Sequence, residues 1–413
     1  MTGHSLALAR PGALAMSGPL NRSVNAMLFL TLLVSPLVFI EPSPYEAAFA
    51  LLALFAVVAG FSIDRTVLPL VFLLLLWNLG GLAALTMALH DSDAIIFMAT
   101  SFFMAVTAVL FACLLLEDTE RRVTIIRRAY IAAAIVCSLA GMAMYFKLIP
   151  AIDADADRLK STFKDPNVFG PYLILPLLLI IDAIIRRGVN VQRIAGALIL
   201  LIALFLSYSR GAWGHFVVSA TLMVALMFMT VQSARFRLRI VSLAALAVVV
   251  VAGLLALLLS FDAIGAMFQE RASVVQYYDA GESGRFGRQL IAVGAILENP
   301  AGLGPHQFAA IFKMDPHNVY LNAFLAYGWI GGVTYIALVL STIVLGFRSI
   351  LILTPWQPVL IAAYATFVGV ALEGFVIDTD HWRHFFLLLG LIWGLSAASL
   401  RQIRATRPGL AVR

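Results

Sequence analysis

Apolar runs separated by short polar breaks occupy almost the whole chain. They predict twelve helices, near residues 25–40, 46–61, 67–89, 94–116, 129–147, 168–185, 194–208, 211–231, 240–260, 319–346, 356–377 and 385–400. A stretch such as Val67 to Leu89 is continuously apolar. It reads as a bilayer-spanning helix and not as one of the ten-residue alternating strands of an outer-membrane barrel. Arg10 and Arg22 before the first run suit a signal peptide. Glu41-Pro42-Ser43-Pro44 after it lacks small-residue cleavage chemistry, so the run is read as a retained, short first span. Two connections exceed turn length, 148–167 and 261–318. The second holds a helix of its own, with Arg285, Arg288, Leu290, Val293 and Leu297 at helical spacing, stopped by Asn299-Pro300 and a glycine turn at 301–305.

Composition agrees with the pattern. Of 413 residues, 62% are hydrophobic and 12% charged, against about 25% charged in ordinary soluble domains. The expected architecture is therefore an all-α integral membrane protein of about twelve transmembrane helices, a single polytopic domain over 1–413 with a partly helical loop at 261–318. Net charge is +6, but the basic residues lie in short inter-helix loops and form no stripe, so nucleic-acid binding is a poor reading. Counting by side explains the charge instead. With the N-terminus in the cytoplasm, 18 of the 28 Lys and Arg fall inside and 17 of the 22 Asp and Glu fall outside. Both termini are then cytoplasmic and the two long connections face outward. Cys113 and Cys137 fall inside spans and read as packing residues.

Cations on that acidic outer surface carry the candidate chemistry. Arg210 stands in Ser207-Tyr208-Ser209-Arg210-Gly211-Ala212-Trp213, a turn too short to be a solvated loop. A guanidinium there must snorkel, pair with an acid or meet an anionic ligand. Arg285 and Arg288, three apart at a helix start, suit a phosphate or diphosphate, or salt bridges to Glu282 or Glu298. His317-Asn318 marks the point where a loop becomes a helix; His317 is either a base for an attacking hydroxyl or an interfacial histidine bonded to a carbonyl. Lys160 and Lys164 are placed to complete an anion pocket, with Asp165 and Asn167 beside them as substrate contacts or as a plain turn and helix cap. Asp378, Asp380, His381 and His384 invite a metal reading but match no tight ligand spacing, and neither metal nor cofactor is expected. Gly328 to Gly332 has a Gly-x-x-x-Gly spacing, which means close helix packing. Phosphate-loop, His-Glu-x-x-His and Gly-x-Ser-x-Gly motifs are missing from the sequence, so a reaction here needs a substrate with its own leaving group.

Four strings in order, KSTFKDPNVFG (160–170), YSRGAW (208–213), ESGRFGRQL…ENPAGLGPHQF (282–308) and DPHNVYLNAFLAYGWIGG (315–332), resemble the O-antigen ligase and O-antigen polymerase superfamily of bacterial envelope polysaccharide enzymes. The resemblance implies a metal-independent inner-membrane glycosyltransferase with a helical, GT-C-like fold and a periplasmic active site. It implies a glycan donor on undecaprenyl diphosphate, with a lipid A–core hydroxyl (ligase) or another lipid-linked repeat (polymerase) as acceptor. It places the diphosphate grip on Arg210 and Arg285 and the base or acceptor-orienting role on His317; from the residues themselves, Arg288 and Asn318 are expected as further substrate contacts. A single displacement at the anomeric carbon inverts its configuration. The alternative from another class is a secondary transporter of an anionic glycan or lipid. Such proteins carry ionisable groups near the midplane, whereas here Glu373 and Asp182 fall toward span ends.

Overall fold

The computed structural model describes residues 18–153, 157–272, 284–313 and 315–406, and each of the twelve predicted spans overlaps helix. In chain order the helices are α1 (Gly18–Leu33), α2 (Pro44–Val58), α3 (Leu68–Leu85), α4 (Ser92–Glu117), α5 (Thr119–Tyr145), α6 (Pro166–Tyr172), α7 (Ile174–Arg187) and α8 (Val191–Leu206). They continue with α9 (Arg210–Thr230), α10 (Ala234–Leu259), α11 (Asp262–Ala272), α12 (Arg285–Glu298), α13 (Gln307–Phe312), α14 (Val319–Ile350), α15 (Gln357–Glu373) and α16 (Arg383–Thr406). No strand occurs among the described residues. Eight helical segments are long and apolar enough to cross a membrane: α3, α4, α5, α6 with α7, α9, α10, α14 and α16. The other four predicted spans, α1, α2, α8 and α15, are 16, 15, 16 and 17 residues long. At about 1.5 Å per residue they fall short of a 30 Å hydrocarbon core. The chain is an all-helical, multi-pass membrane protein.

Two spans differ from expectation for backbone reasons. The first apolar run continues to Ile40, but Pro36 disfavours a helical Ser35, and α1 ends at Leu33 after starting at 18 and not at 25. The sixth span is two helices joined at Leu173, with Pro171 and Pro176 each removing a backbone donor around the joint.

Alternation brings the C-termini of α1, α3, α5, α8, α10 and α15 to the same end as the N-termini of α2, α4, α6, α9, α14 and α16. Bonds across the connections show it: Val38 N donates to Thr162 O (3.3 Å), Leu159 N to Leu206 O (3.0 Å), Gln307 Nε2 to Asp91 Oδ2 (3.2 Å) and Val319 N to Gly374 O (2.8 Å). This loop-rich end also holds α11, α12 and α13. Among the described residues, the six non-glycines with left-handed φ, namely Lys147, Ser161, Tyr208, His306, Lys313 and His317, all lie here. Strain of this kind concentrates at functional sites.

Inside the bundle α14 packs on α3, α16 on α4 and α9 on α15. The Gly-x-x-x-Gly stretch does two jobs. Gly331 makes the close approach to α3, since a Cβ on Gly80 would lie 2.6 Å from Gly331 N. Gly328 instead breaks α14, with φ 67°. The break frees the Leu325 carbonyl and the Trp329 amide, and the outer loop satisfies both. Leu303 N and Gly304 N donate to Leu325 O (2.8 and 3.2 Å), and Trp329 N donates to Pro300 O (2.9 Å). Residues 300–304 are thus stitched into a transmembrane helix.

The opposite end is arginine-rich. Arg122 is fully buried and donates to Leu114 O, Glu117 Oε2 (2.8 Å), Asn25 Oδ1 (3.3 Å) and Asn21 Oδ1 (3.2 Å), tying α5 to α1 and α4. Arg401 pairs with Asp64 and donates to Leu116 O. Arg122→Ala strands several of these acceptors. The expected result is a loss of about 3 kcal/mol, the lower end for a broken buried pair because Glu117 stays partly exposed. A fall in the thermal unfolding midpoint of the detergent-solubilised protein checks it.

Candidate active site

Three of the motifs meet at the end of α15. Ser209 caps α9, its hydroxyl accepting from Ala212 N (3.3 Å), which leaves Arg210 as the first helical residue, half-buried. Gly211 follows because a side chain would not fit: a Cβ there would lie 2.7 Å from Glu373 Oε1. Glu373 ends α15, is buried, and sits against the first turn of α9, where the helix dipole favours a carboxylate. Its other oxygen, Oε2, lies 2.8 Å from His215 Nδ1, one turn below Arg210, while His215 Nε2 bonds the Thr366 carbonyl (2.9 Å). A carbonyl can only accept, so Nε2 carries a hydrogen. The Nδ1–Glu373 contact therefore needs a proton between its two atoms.

The next residue, Gly374, accepts from Val319 N, and Asn318 caps α14 by accepting from Tyr320 N (3.1 Å) and Leu321 N (3.2 Å). His317 precedes that cap with φ 48°, and its Nδ1 stands 3.7 Å from Asp378 Oδ2. Phe375, one residue beyond Gly374, accepts from Gln289 Nε2 of α12 (3.2 Å). Arg285 is the first residue of α12, one turn before Gln289; its side chain lies outside the described residues. Residues 373–375 thus touch the Arg210 turn, the His317 cap and the Arg285 helix in succession.

The remaining candidates take supporting positions. Arg288 donates to Phe312 O, holding the end of α13. Lys160 pairs with Asp153 (2.5 Å) and Lys164 with Glu41 (2.6 Å). Asp165 caps α6 by accepting from Asn167 N (2.8 Å). Asn167 Oδ1 accepts from Arg158 NH2 (2.8 Å), and Arg158 Nε donates to Ser207 O (2.9 Å). The 157–167 loop is thereby bound to the turn that presents Arg210.

Burial raises the pKa of Asp378 above the usual carboxylate range, despite the His317 contact, and raises Asp315 likewise. Burial lowers His381, but Asp380 at 3.2 Å outweighs it and the net direction is up. Asp378 Oδ1 and His384 Nε2 are buried without a hydrogen-bond partner. Among the described residues, no group of three or more His, Cys, Asp or Glu is placed to hold a metal ion, the Asp378–His384 run included.

Sequence reasoning did not assign Asp378 to His317, and it set Glu373 aside and left His215 unmentioned. The available signal was ionisable residues in or beside apolar spans: His215 in the run 211–231 and Glu373 in 356–377.

The fold and these side chains define a polytopic membrane protein with a charged site gathered at one end of its bundle. Residues 195–336 match the family model described as O-antigen ligase (Wzy_C). The resemblance to the O-antigen ligase and O-antigen polymerase superfamily therefore holds, over the stretch carrying Arg210, Arg285, Arg288, His317 and Asn318. No curated protein matches the chain.

Proposed function

We propose that the chain is an O-antigen ligase-like glycosyltransferase. It moves a glycan from undecaprenyl diphosphate to a hydroxyl of lipid A–core or a similar acceptor, on the periplasmic face of a bacterial inner membrane. The loop-rich end is the periplasmic end, residues 261–318 are its catalytic loop, and both termini are cytoplasmic. The observation that carries the reading is the meeting of the Arg210, Arg285 and His317 segments on residues 373–375.

With its Nδ1–H turned to Asp378, His317 keeps the Nε2 lone pair for the acceptor hydroxyl proton. The hydroxyl oxygen then bonds the anomeric carbon as the bond from that carbon to the diphosphate oxygen breaks. Negative charge grows on the diphosphate, where Arg210 and Arg285 stabilise it. The proton rests on His317, undecaprenyl diphosphate leaves, and the anomeric configuration inverts. No metal or cofactor enters the scheme.

A deletion strain tests the reading. It is expected to accumulate lipid-linked polymer and to lose polymer attached to its acceptor, both restored by the wild-type gene. Attachment of single repeats would assign the chain to the polymerases instead. An unchanged polysaccharide profile would remove the glycosyltransferase reading.

A further inference from the structure

Between α1, α2, α4, α6 and α16, at the loop-rich end, lies a cavity of about 810 Å³. That is within the range of small-molecule sites, which run from about 300 to 1,000 Å³. On α4 it is lined by Ile96, Ala99, Thr100 and Phe103, spaced as one helical face. Ile96 is 61% exposed, so none of the described residues covers that side. Deeper in, α2 and α4 close on each other through Phe49, whose ring lies 5.3 Å from Phe103 and 6.0 Å from Phe111. Tyr130 and Tyr172, 4.8 Å apart, form part of the wall. The space is an apolar slot with an open flank.

Its rim is polar but self-compensated. Lys164 is paired with Glu41, Arg383 with Glu46, and Asp165 is engaged in capping α6. A diphosphate placed here would meet two cations already neutralised and a third carboxylate, so the slot is ill suited to the donor's headgroup. Several polar atoms on its wall lack a hydrogen-bond partner, the Tyr130 hydroxyl and His384 Nε2 among them. His384 is 95% buried, and its Nε2 lacks a hydrogen-bond partner, a cost that a hydroxyl, ester or amide beside a hydrocarbon chain would remove.

Position separates this slot from the expected diphosphate grip. None of its lining residues belongs to α9, α12 or α14, the helices of Arg210, Arg285 and the His317 cap, and none lies within the matched segment 195–336. The connection between α15 and α16 joins the two regions: Asp378 faces His317, and His381 and Trp382 line the slot. Asp378 and His381 are three positions apart, at most roughly 11 Å of chain.

Resting on the glycosyltransferase reading, we propose that the slot holds a hydrocarbon chain of the lipid-anchored acceptor. The chain enters past Ile96 and Ala99 from the surrounding bilayer. Its uncharged linkage bonds His384, and the headgroup passes over the 378–382 segment to His317. The donor's polyprenyl chain lies elsewhere.

Photolabelling of the full-length protein in vesicles tests the assignment by binding alone. One probe is an alkyl glucoside with a diazirine in its chain; the other is a polyprenyl diphosphate with the same diazirine. The glucoside probe is expected to label peptides containing residues 96–104 and 381–387, and to do so equally in His317→Ala. Ala99→Trp fills the slot from an exposed position and is expected to cut that labelling at least tenfold; Ile96→Trp, on the same exposed face, provides a second filling variant. Preferential labelling of these peptides by the diphosphate probe, or glucoside labelling indifferent to both tryptophans, overturns the proposal. Because labelling does not depend on turnover, its failure is distinct from a failure of the glycosyltransferase reading.

Discussion

Replacing His317 with alanine is expected to lower glycan transfer by about 10²–10⁴-fold, the usual contribution of a positioned base, while the protein accumulates in the membrane at the wild-type level. The residue costs the fold something, because a non-glycine at φ 48° is strained by about 1 kcal/mol or more. Its side chain makes no helix cap; that is the work of Asn318. Alanine therefore removes the imidazole and leaves the start of α14 intact. Asp378→Asn separates orientation from folding. Asparagine cannot stabilise an imidazolium as a carboxylate does, so activity falls. The pKa of Asp378 is raised on folding by burial. The folded protein therefore binds that proton more tightly than the unfolded chain, and the charged form lowers stability at pH values above the unfolded pKa. Asparagine removes this penalty, and the variant's thermal midpoint at neutral pH is expected to equal or exceed wild type. The raised pKa also sets an acid limb. Wild-type activity falls as pH drops through a value above the ordinary carboxylate range, and the limb attributable to Asp378 is lost in Asp378→Asn. A pH–rate profile with a wild-type acid limb at the ordinary carboxylate pKa, or an Asp378→Asn variant as active as wild type, would remove Asp378 from the site.

What was legible in the sequence follows from which interactions are local. Twelve apolar runs gave twelve helical positions because lipid imposes the same rule on every span: satisfy the backbone internally and face outward with carbon. The cap of α6 at Asp165 was readable for the same reason, being a bond over two residues; Ser209 and Asn318 cap α9 and α14 by equally local bonds. The keystone at 373–375 was not readable. It packs against residue 211 and bonds residues 289 and 319, and its polar surface is two backbone carbonyls and one carboxylate that, by charge alone, was indistinguishable from a residue at a span boundary. Arg158 was counted only as one cation of the outer face, although it clamps the loop of Asn167 to the turn of Arg210. The break at Gly328 reads in sequence as a packing motif. Only the pairing of its freed backbone groups with residues 300–304 shows that the outer loop is fixed to the bundle.

Arg210→Ala is expected to lower transfer by about 10²–10³-fold, the cost of removing one fixed donor from a site where negative charge develops. Arg210→Lys recovers only part of the loss, because an ammonium retains the charge without the planar fork that suits diphosphate oxygens. The stronger test lies one residue on. Gly211→Ala leaves the guanidinium in place but forces a methyl group to within 2.7 Å of the present position of Glu373 Oε1. Glu373 has little room to retreat, since it is buried and its other oxygen is bonded to His215, which is itself fixed to the Thr366 carbonyl. The first turn of α9 must shift instead, carrying Arg210 away from the α15 terminus. Gly211→Ala is therefore expected to lose activity by an amount between Arg210→Lys and Arg210→Ala. Combining Gly211→Ala with Arg210→Ala adds little, because both act on the same group. Equal, independent losses that multiply in the double variant would mean that Glu373 supports the fold and not the placement of Arg210. Full activity in Arg210→Ala would mean that the diphosphate is held elsewhere on this face.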